Sequence, residues 1–411
     1  MHPKRRRRHP SFVHAPPSTT RHITIVGGGP AAVALAASLR DRQHRVTLRA
    51  PGGLKAPAHT LCAFADQLAD ASIGTRFPRT LVVTDAGSVD LQRAYARFDD
   101  SAARASLSRT CTVIDGRVDG STPLTGDDIV VDTTGHAPVL VKQVSVTPAW
   151  QSAFGLVIEG RDEDLPPGTA LFMDWRDAGV DDGGPPSFLY ALSGDDGRLL
   201  LEETTLASWA PVPTDLLRTR LRSRLRRRGT VIDRVVGDEV VHFPMGGGVP
   251  RRRQRVAAFG ASLGVVSPVS GYSVARTISL VPVVADALVG ADAAGAGDAV
   301  IDAVWTPGAR SLRTLQRFAL TAACQFNQHD AGAFFGDFFA LPTPQWRGFL
   351  DGTDDVERAR ATMLALFSSS TASLRVRLMA GALTSNGLAV ATDIIRTLVE
   401  KPFGPPARSA P

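Results

Sequence analysis

The chain is short of the side chains that staple secreted folds or stack on nucleobases. Its three cysteines, Cys62, Cys111 and Cys324, lie far apart with no C-x-x-C spacing. That excludes a disulfide framework and a cysteine zinc site, and fits a reducing cytoplasm. Aromatic residues are 6% of the chain, with three tyrosines, which argues against a base-stacking surface. The arginine runs also lack an accompanying recognition module, so nucleic acid is not an expected partner. No unbroken apolar run reaches the roughly 18 residues of a membrane-spanning helix. The basic N-terminus leads into prolines and polar residues, not the apolar core of a signal peptide.

The balance that remains is globular: 44% apolar and 21% charged over 411 residues, enough for two domain-sized cores. The net charge of +6 is concentrated in Lys4–Arg8, Arg218–Arg228 and Arg251–Arg255. Residues 1–21 read as a disordered basic tail, either passive or drawn to anionic lipid. The first ordered element is Ile23 to Val26, then a glycine turn and a helix from Val33 to Arg40. This is the dinucleotide fingerprint, with Gly27, Gly29 and Ala32 at its three small positions and Pro30 and Ala31 between them. The following strand, His44 to Leu48, should end in an acid that holds ribose hydroxyls; Arg49-Ala50-Pro51 stands there instead. Arg97, in LQRAYARF, faces either cofactor phosphates or solvent. The strand 127–132 ends in Gly135-His136 at the expected ligand crevice, where a lone histidine more often serves structure than catalysis.

Residues 139–242 carry successive β-like runs, an inserted and mostly antiparallel substrate domain. Within it Ser187 to Thr205 reads as a hairpin around the Gly-Asp-Asp-Gly turn at 194–197. Its second strand, Leu199-Leu200-Leu201, runs straight into Glu202-Glu203. Alternation puts Glu202 on the face of Leu200 and Thr204, and Glu203 on the opposite one. Either both acids sit at a solvated strand end, or one enters a cavity where desolvation raises its pKa and suits it to proton transfer. Leu217, Leu221 and Leu225 mark an amphipathic helix with a basic outer face, solvated by default or touching anionic lipid.

A second turn where backbone can approach a cofactor follows strand 256–259, with Gly260, Gly264, Pro268, Gly271, Tyr272 and Ser273. It returns the chain to the first domain. The expected division is residues 22–138 with 243–300 for nucleotide binding, 139–242 for substrate, a helical region 301–401 and a disordered tail 402–411. Four phenylalanines, Phe334, Phe335, Phe338 and Phe339, share a helical face that either packs a core or lines an apolar tunnel.

Several segments together resemble the lycopene cyclases of the plant and bacterial β-cyclase type. FLYALSG with LLLEETT is similar to that family's "FLYAMP … FLEETSL" hairpin, and FMDWRD at 172–177 matches its "FMDWRD". FPMGGGVP and GASLGVVSPVSGYSVAR resemble its "PMGG … GxxAGMVHPxTGYxVAR" block. DAGAFFGDFFALPTPQWRGFL resembles "FFxAFFDLxPxYWHGFL". Departures are Ala50 for the ribose-binding acid, Ser267 for the histidine of "HPxTGY", and HTLCAFADQL at 59–68 in place of a "YGVWxDE" segment.

The resemblance implies an α/β FAD/NAD(P)-binding fold and a non-redox flavoenzyme that closes the ends of lycopene into β-ionone rings. It implies reduced FAD with NADPH as reductant, and a membrane-embedded acyclic carotenoid reached from the cytoplasm by peripheral association. Glu202 becomes the acid/base residue, in a cavity with Trp175, Tyr190, Glu203, Phe335, Phe338 and Trp346. Two alternatives stay open: an FAD-dependent saturase or hydroxylase of another isoprenoid, and a non-catalytic carotenoid- or lipid-binding relative.

Overall fold

The computed structural model describes residues 20–57, 59–119, 129–194, 197–351, 355–382 and 388. The expected disordered tails therefore fall outside the described residues, apart from Thr20 and Arg21. So do Asp195 and Asp196 of the hairpin turn, Asp127 and Asp128, and residues 383–401 apart from Leu388.

Strand His22–Val26 is buried from Ile23 onward, as expected for a parallel strand covered on both faces. It is the middle of a five-stranded parallel sheet: Ala257–Ala258, Ile129–Asp132, His22–Val26, Arg45–Arg49, Thr112–Ile114. Helix Pro30–Asp41 starts with proline in its first turn, where a missing N–H costs nothing. It packs with Val274–Gly290 through Leu35, Leu39, Val284 and Leu288. Asp132, fully buried at its strand's end, accepts hydrogen bonds from Thr134 N and Oγ1, at 2.9 and 2.7 Å, and from Leu140 N at 2.7 Å. These charge-assisted bonds fix the loop that leaves the sheet.

A seven-stranded sheet forms the second layer, in the order Val231–Met245, Ala149–Arg161, Arg198–Ser208, Ser187–Ser193, Thr169–Asp174, Arg79–Thr84, Gly87–Asp90. Its pairings are antiparallel except Thr169–Asp174 with Arg79–Thr84. The expected boundaries at 139 and 242 do not divide the sheets. Arg79–Thr84 precedes the first and Met245 follows the second, yet both belong here. The reason is burial: Leu81 packs with Leu171 and Leu189, and its neighbour Val82 joins Phe64 and Phe172 on the opposite face.

The two faces of this sheet are covered differently. Helix Thr214–Arg228 closes one through Leu217, Leu221 and Leu225. On the other, the apolar core is built with a three-stranded sheet (Cys62–Phe64, Tyr95–Phe98, Ile73–Phe77) and C-terminal helices. Those helices are Pro307–Ala323, Gln328–Ala340, Thr343–Leu350, Val356–Ser369 and Ala372–Ala382. Among the described residues no helix is long and apolar enough to cross a membrane.

The basic helix corrects one expectation. Its arginines do not all face outward: Arg220, Arg224 and Arg228 recur every four residues beside the leucine stripe and turn inward. Arg220 Nε donates to Asp182 at 2.8 Å, and Arg228 bridges Asp162 at 2.8 Å and Asp174 at 2.7 Å. Only part of the run, including Arg222, Arg226 and Arg227, is exposed. The acids of the sheet face account for this, since a buried guanidinium is tolerated only when paired.

Candidate active site

Alternation along Arg198–Ser208 separates the two glutamates. Glu203 is fully buried against the basic helix, where Arg224 Nε and Nη2 donate to its carboxylate at 2.7 and 2.8 Å and Ser187 Oγ donates at 2.6 Å. Glu202 points the other way, 8% exposed, into an aromatic cavity. Among the described residues its carboxyl makes no hydrogen bond or ion pair. Burial, and secondarily the nearby Glu239 carboxylate, push its pKa up to about 8. It is therefore a neutral acid at physiological pH, able to give a proton and to take one back.

Room for this side chain comes from a glycine. Gly155 lies opposite Glu202 on one neighbouring strand pair and opposite Glu239 on the other. A Cβ at Gly155 would stand 2.4 Å from Glu202 Cγ, so any other residue would displace the acid. Glycine inside a strand often marks such a close approach. Glu239 is itself fixed by Thr60, whose N and Oγ1 donate to it at 2.9 and 2.6 Å.

The Glu202 cavity has a volume of about 310 Å³. All three tyrosines of the chain line it: Tyr95, Tyr190 and Tyr272. The Tyr95 and Tyr272 hydroxyls lie 2.6 Å apart, and the Tyr95 and Tyr190 rings meet edge-on at 6.3 Å. Burial raises all three phenols above their ordinary value, so they stay protonated. Cys62, at the same wall, is pushed up to about 12 by burial and remains a thiol. Phe172, Phe335, Phe339 and His136 complete much of the wall, the imidazole held below its usual value by desolvation. Aromatic rings line a space that holds no lysine or arginine among the described residues, an arrangement that favours transient positive charge.

A second cavity of about 360 Å³, walled almost wholly by apolar side chains, lies among the C-terminal helices. Val269, Phe335 and Leu350 line both cavities.

Of the expected substrate-cavity residues, Tyr190 and Phe335 stand at the Glu202 cavity and Phe338 at the second. Three others line neither. Glu203 is the partner of Arg224. Trp175 is buried behind the wall, stacked on Phe335 at 5.0 Å, because the FMDWRD strand turns its indole toward the Gln328–Ala340 helix. Trp346 is buried against Phe339 at 5.7 Å, in the core between helices. Gly155, Glu239, Tyr95 and Cys62 were not anticipated in the site. The glycine interrupting the apolar run Phe154–Ile158 was the one readable signal.

A third, larger pocket of about 690 Å³ is lined by Gly27, Gly29, Pro30, Ala31, Thr133, Gly260 and Ser273, with Ala32 buried beneath. At Gly27, φ is +127° and a Cβ would stand 2.5 Å from Thr133 Oγ1, so only glycine allows this turn. The Pro30–Asp41 helix carries no acid in its first turn, leaving its N–H groups open to an anion. Leu61, Ala261, Ser273 and Val274 line both this pocket and the Glu202 cavity, so the two adjoin.

The remaining expected cofactor residues sit elsewhere. Gly271 and Tyr272 face the Glu202 cavity, while Gly264 and Pro268 line neither space. Arg97 is carried by its register opposite Cys62 and Thr75 to a surface cleft with Arg76 and Arg198. Ala50 is buried, and a Cβ at Gly28 would lie 3.1 Å from its methyl; Arg49 and Pro51 line the pocket beside it.

The family model for lycopene cyclase protein matches residues 22–377. The chain belongs to the lycopene cyclase family. Among curated members, the lycopene beta cyclase of an Oncidium hybrid is 29% identical, covering 88% of this chain and 84% of its own. An uncharacterized carotenoid cyclase of Deinococcus radiodurans is 32% identical, covering 88% and 93%. The lycopene beta cyclase of Synechococcus elongatus is 27% identical, covering 86% and 95%. Among solved structures, a geranylgeranyl bacteriochlorophyll reductase-like protein from Thermoplasma acidophilum superposes with a TM-score of 0.65 at 11% identity, covering 88% of this chain and all of that one. A flavin-dependent halogenase from Xanthomonas campestris gives 0.51 at 12% identity, covering 92% and 96%. These likenesses show that this lycopene cyclase family member has the fold of such proteins, the α/β class expected from the sequence.

Proposed function

We propose that this chain is a lycopene β-cyclase, closing the acyclic ends of lycopene into β-ionone rings without net redox change. The observation that carries the reading is Glu202: a carboxyl with no hydrogen bond or ion pair among the described residues, neutral up to about pH 8, set in an aromatic cavity that adjoins a dinucleotide pocket. A proton from Glu202 adds to the terminal carbon–carbon double bond and leaves a tertiary cation. A neighbouring double bond attacks that cation and closes the ring. Loss of a proton from the ring carbon beside the new cation restores a double bond, so substrate and product are isomers. The rings of Tyr95, Tyr190 and Tyr272 face the cationic stages, and the apolar walls exclude the water that would quench them.

The dinucleotide pocket fits FAD. Its glycine turn leaves space for a pyrophosphate, and its helix end offers free N–H donors. The nucleotide end has Arg49, and Arg117 and Asp119 also line this pocket. Gly27, Gly29, Pro30, Ala31, Gly260 and Ser273 would hold the cofactor. When bound, reduced FAD, with NADPH as its reductant, supplies an electron-rich ring system for charge stabilisation or proton transfer.

Expression in a lycopene-accumulating host, followed by pigment analysis, tests this function. Cyclic products are expected; unchanged lycopene beside folded protein would overturn it. A second reading follows from Ala50, whose methyl fills the place of the ribose-binding acid: a carotenoid-binding relative without flavin. Purified protein that takes up neither oxidised nor reduced FAD would favour that one.

A further inference from the structure

The deepest arginines of this chain come with a carboxylate. Arg93 holds Asp66 and Asp351, Arg104 holds Asp100, and Arg220, Arg224 and Arg228 hold Asp182, Glu203 and Asp162. Arg313, half-buried on the Pro307–Ala323 helix, breaks the pattern. Its Nη1 donates to the Gly264 carbonyl at 2.7 Å and its Nη2 to the Gly247 carbonyl, and its guanidinium carbon lies 5.1 Å from the centre of the Trp305 ring. Among the described residues it has no acid, and Arg317, one turn further along the helix, has none either. Desolvation, and secondarily the charge of Arg317, pull its pKa down to about 10. Carbonyls satisfy its N–H groups but leave a desolvated positive charge without a counterpart.

Arg313 lines a recess of about 70 Å³ together with Arg276, Ser267, Gln67, Gln316 and Asp351. Asp351 is the one acid on this wall among the described residues, and its oxygens are already taken. Arg93 donates to them at 2.8 and 3.0 Å, and Gln67 donates to one of them at 3.0 Å. Gln316 is only 6% exposed, yet its side-chain amide makes no hydrogen bond among the described residues. A buried amide normally has a partner, so this one points to an acceptor in the recess. Ser267 stands where the family's "HPxTGY" block has a histidine, and the smaller side chain leaves that side of the recess open. Its Oγ accepts from Ser270 N at 3.3 Å, so its own O–H remains to donate.

We propose that this recess binds one small oxyanion of the phosphate or sulfate class, with Arg313 and Gln316 as its principal donors and Ser267 and Arg276 beside them. Water in the recess would meet Gln316 and leave the charge of Arg313 uncompensated; an oxyanion answers both through charge-assisted hydrogen bonds. The volume is too small for a nucleotide, so the ligand is the free anion. Tyr272 lines both this recess and the Glu202 cavity, so a bound anion stands one side chain away from the candidate active site. Nothing in this site depends on the cyclase reading.

The test is calorimetric titration of the full chain with sodium phosphate and with sodium chloride at equal ionic strength, each with and without saturating FAD. Phosphate should bind at a single site and chloride should not. Arg313→Gln should weaken phosphate about ten-fold or more, and Gln316→Leu by less. Ser267→His refills the recess with both principal donors in place and should abolish binding. Melting curves confirm that each variant is folded, and phosphate should raise the melting temperature of the wild type and not of Ser267→His. A wild type that takes up no phosphate, or that responds equally to chloride, overturns the proposal. So does uptake that FAD displaces and Ser267→His retains, which would put the anion in the dinucleotide pocket. If FAD does not bind, the Ser267→His comparison alone separates the two sites.

Discussion

Glu202 and Glu203 are neighbours in sequence and strangers in environment. Glu203 faces a guanidinium, a hydroxyl and a basic helix, its charge fully satisfied inside the protein. Glu202 shares its cavity with phenol and phenyl rings and, among the described residues, meets no hydrogen-bond donor or cation. Both are buried glutamates; the partner set decides whether a carboxyl becomes a structural tie or a proton donor.

The contrast can be broken from either side. Glu202→Gln keeps the shape and removes the transferable proton. Cyclisation should fall by about 10²- to 10⁴-fold while the melting temperature holds, measured by product yield against soluble protein. Arg224→Met should do the reverse. It strands Glu203 in a dry site and should cost about 3–5 kcal/mol of stability, read by urea denaturation. An unchanged midpoint would show that Glu203 finds another partner. Gly155→Ala tests the space and not the charge. Its methyl would force Glu202 aside, and a misplacement of about 1 Å should cost about 100-fold in turnover with little loss of fold.

Acidity sharpens the same comparison more gently. The pKa of Glu202 is raised in the folded state to about 8, so between the ordinary glutamate value and about 8 the folded protein holds a proton that the unfolded chain has released. Its contribution therefore declines as pH rises through that window. The melting temperature of Glu202→Gln should gain on the wild type from pH 5 toward pH 8, and wild-type turnover should decline above about 8. A constant difference between the two melting curves would contradict the assignment. The smallest effect belongs to Glu239→Gln. Removing the second carboxylate should move the alkaline limb of the pH–rate profile down by less than about one unit.

The parts of this molecule that local rules govern were legible in the chain. The strand–glycine–helix start and the opposite faces of Glu202 and Glu203 follow from sequence neighbours alone. The Glu202–Gly155–Glu239 row does not, because three separate strands meet there and only sheet register brings them together. The placing of Arg97 and Trp175 is hidden for the same reason: each lies in a recognisable segment, but the direction of its side chain depends on what packs against its strand. The basic helix looked like a solvated face because its acidic partners, Asp162, Asp174, Asp182 and Glu203, lie more than ten residues away on other elements.

One consequence of the cavity concerns light. Since Tyr95, Tyr190 and Tyr272 are the whole tyrosine content and all line one space, the near-ultraviolet tyrosine band of this protein reports on that space alone. Alkali should leave it unionised until the fold opens, and anything that fills the cavity should perturb it without a label.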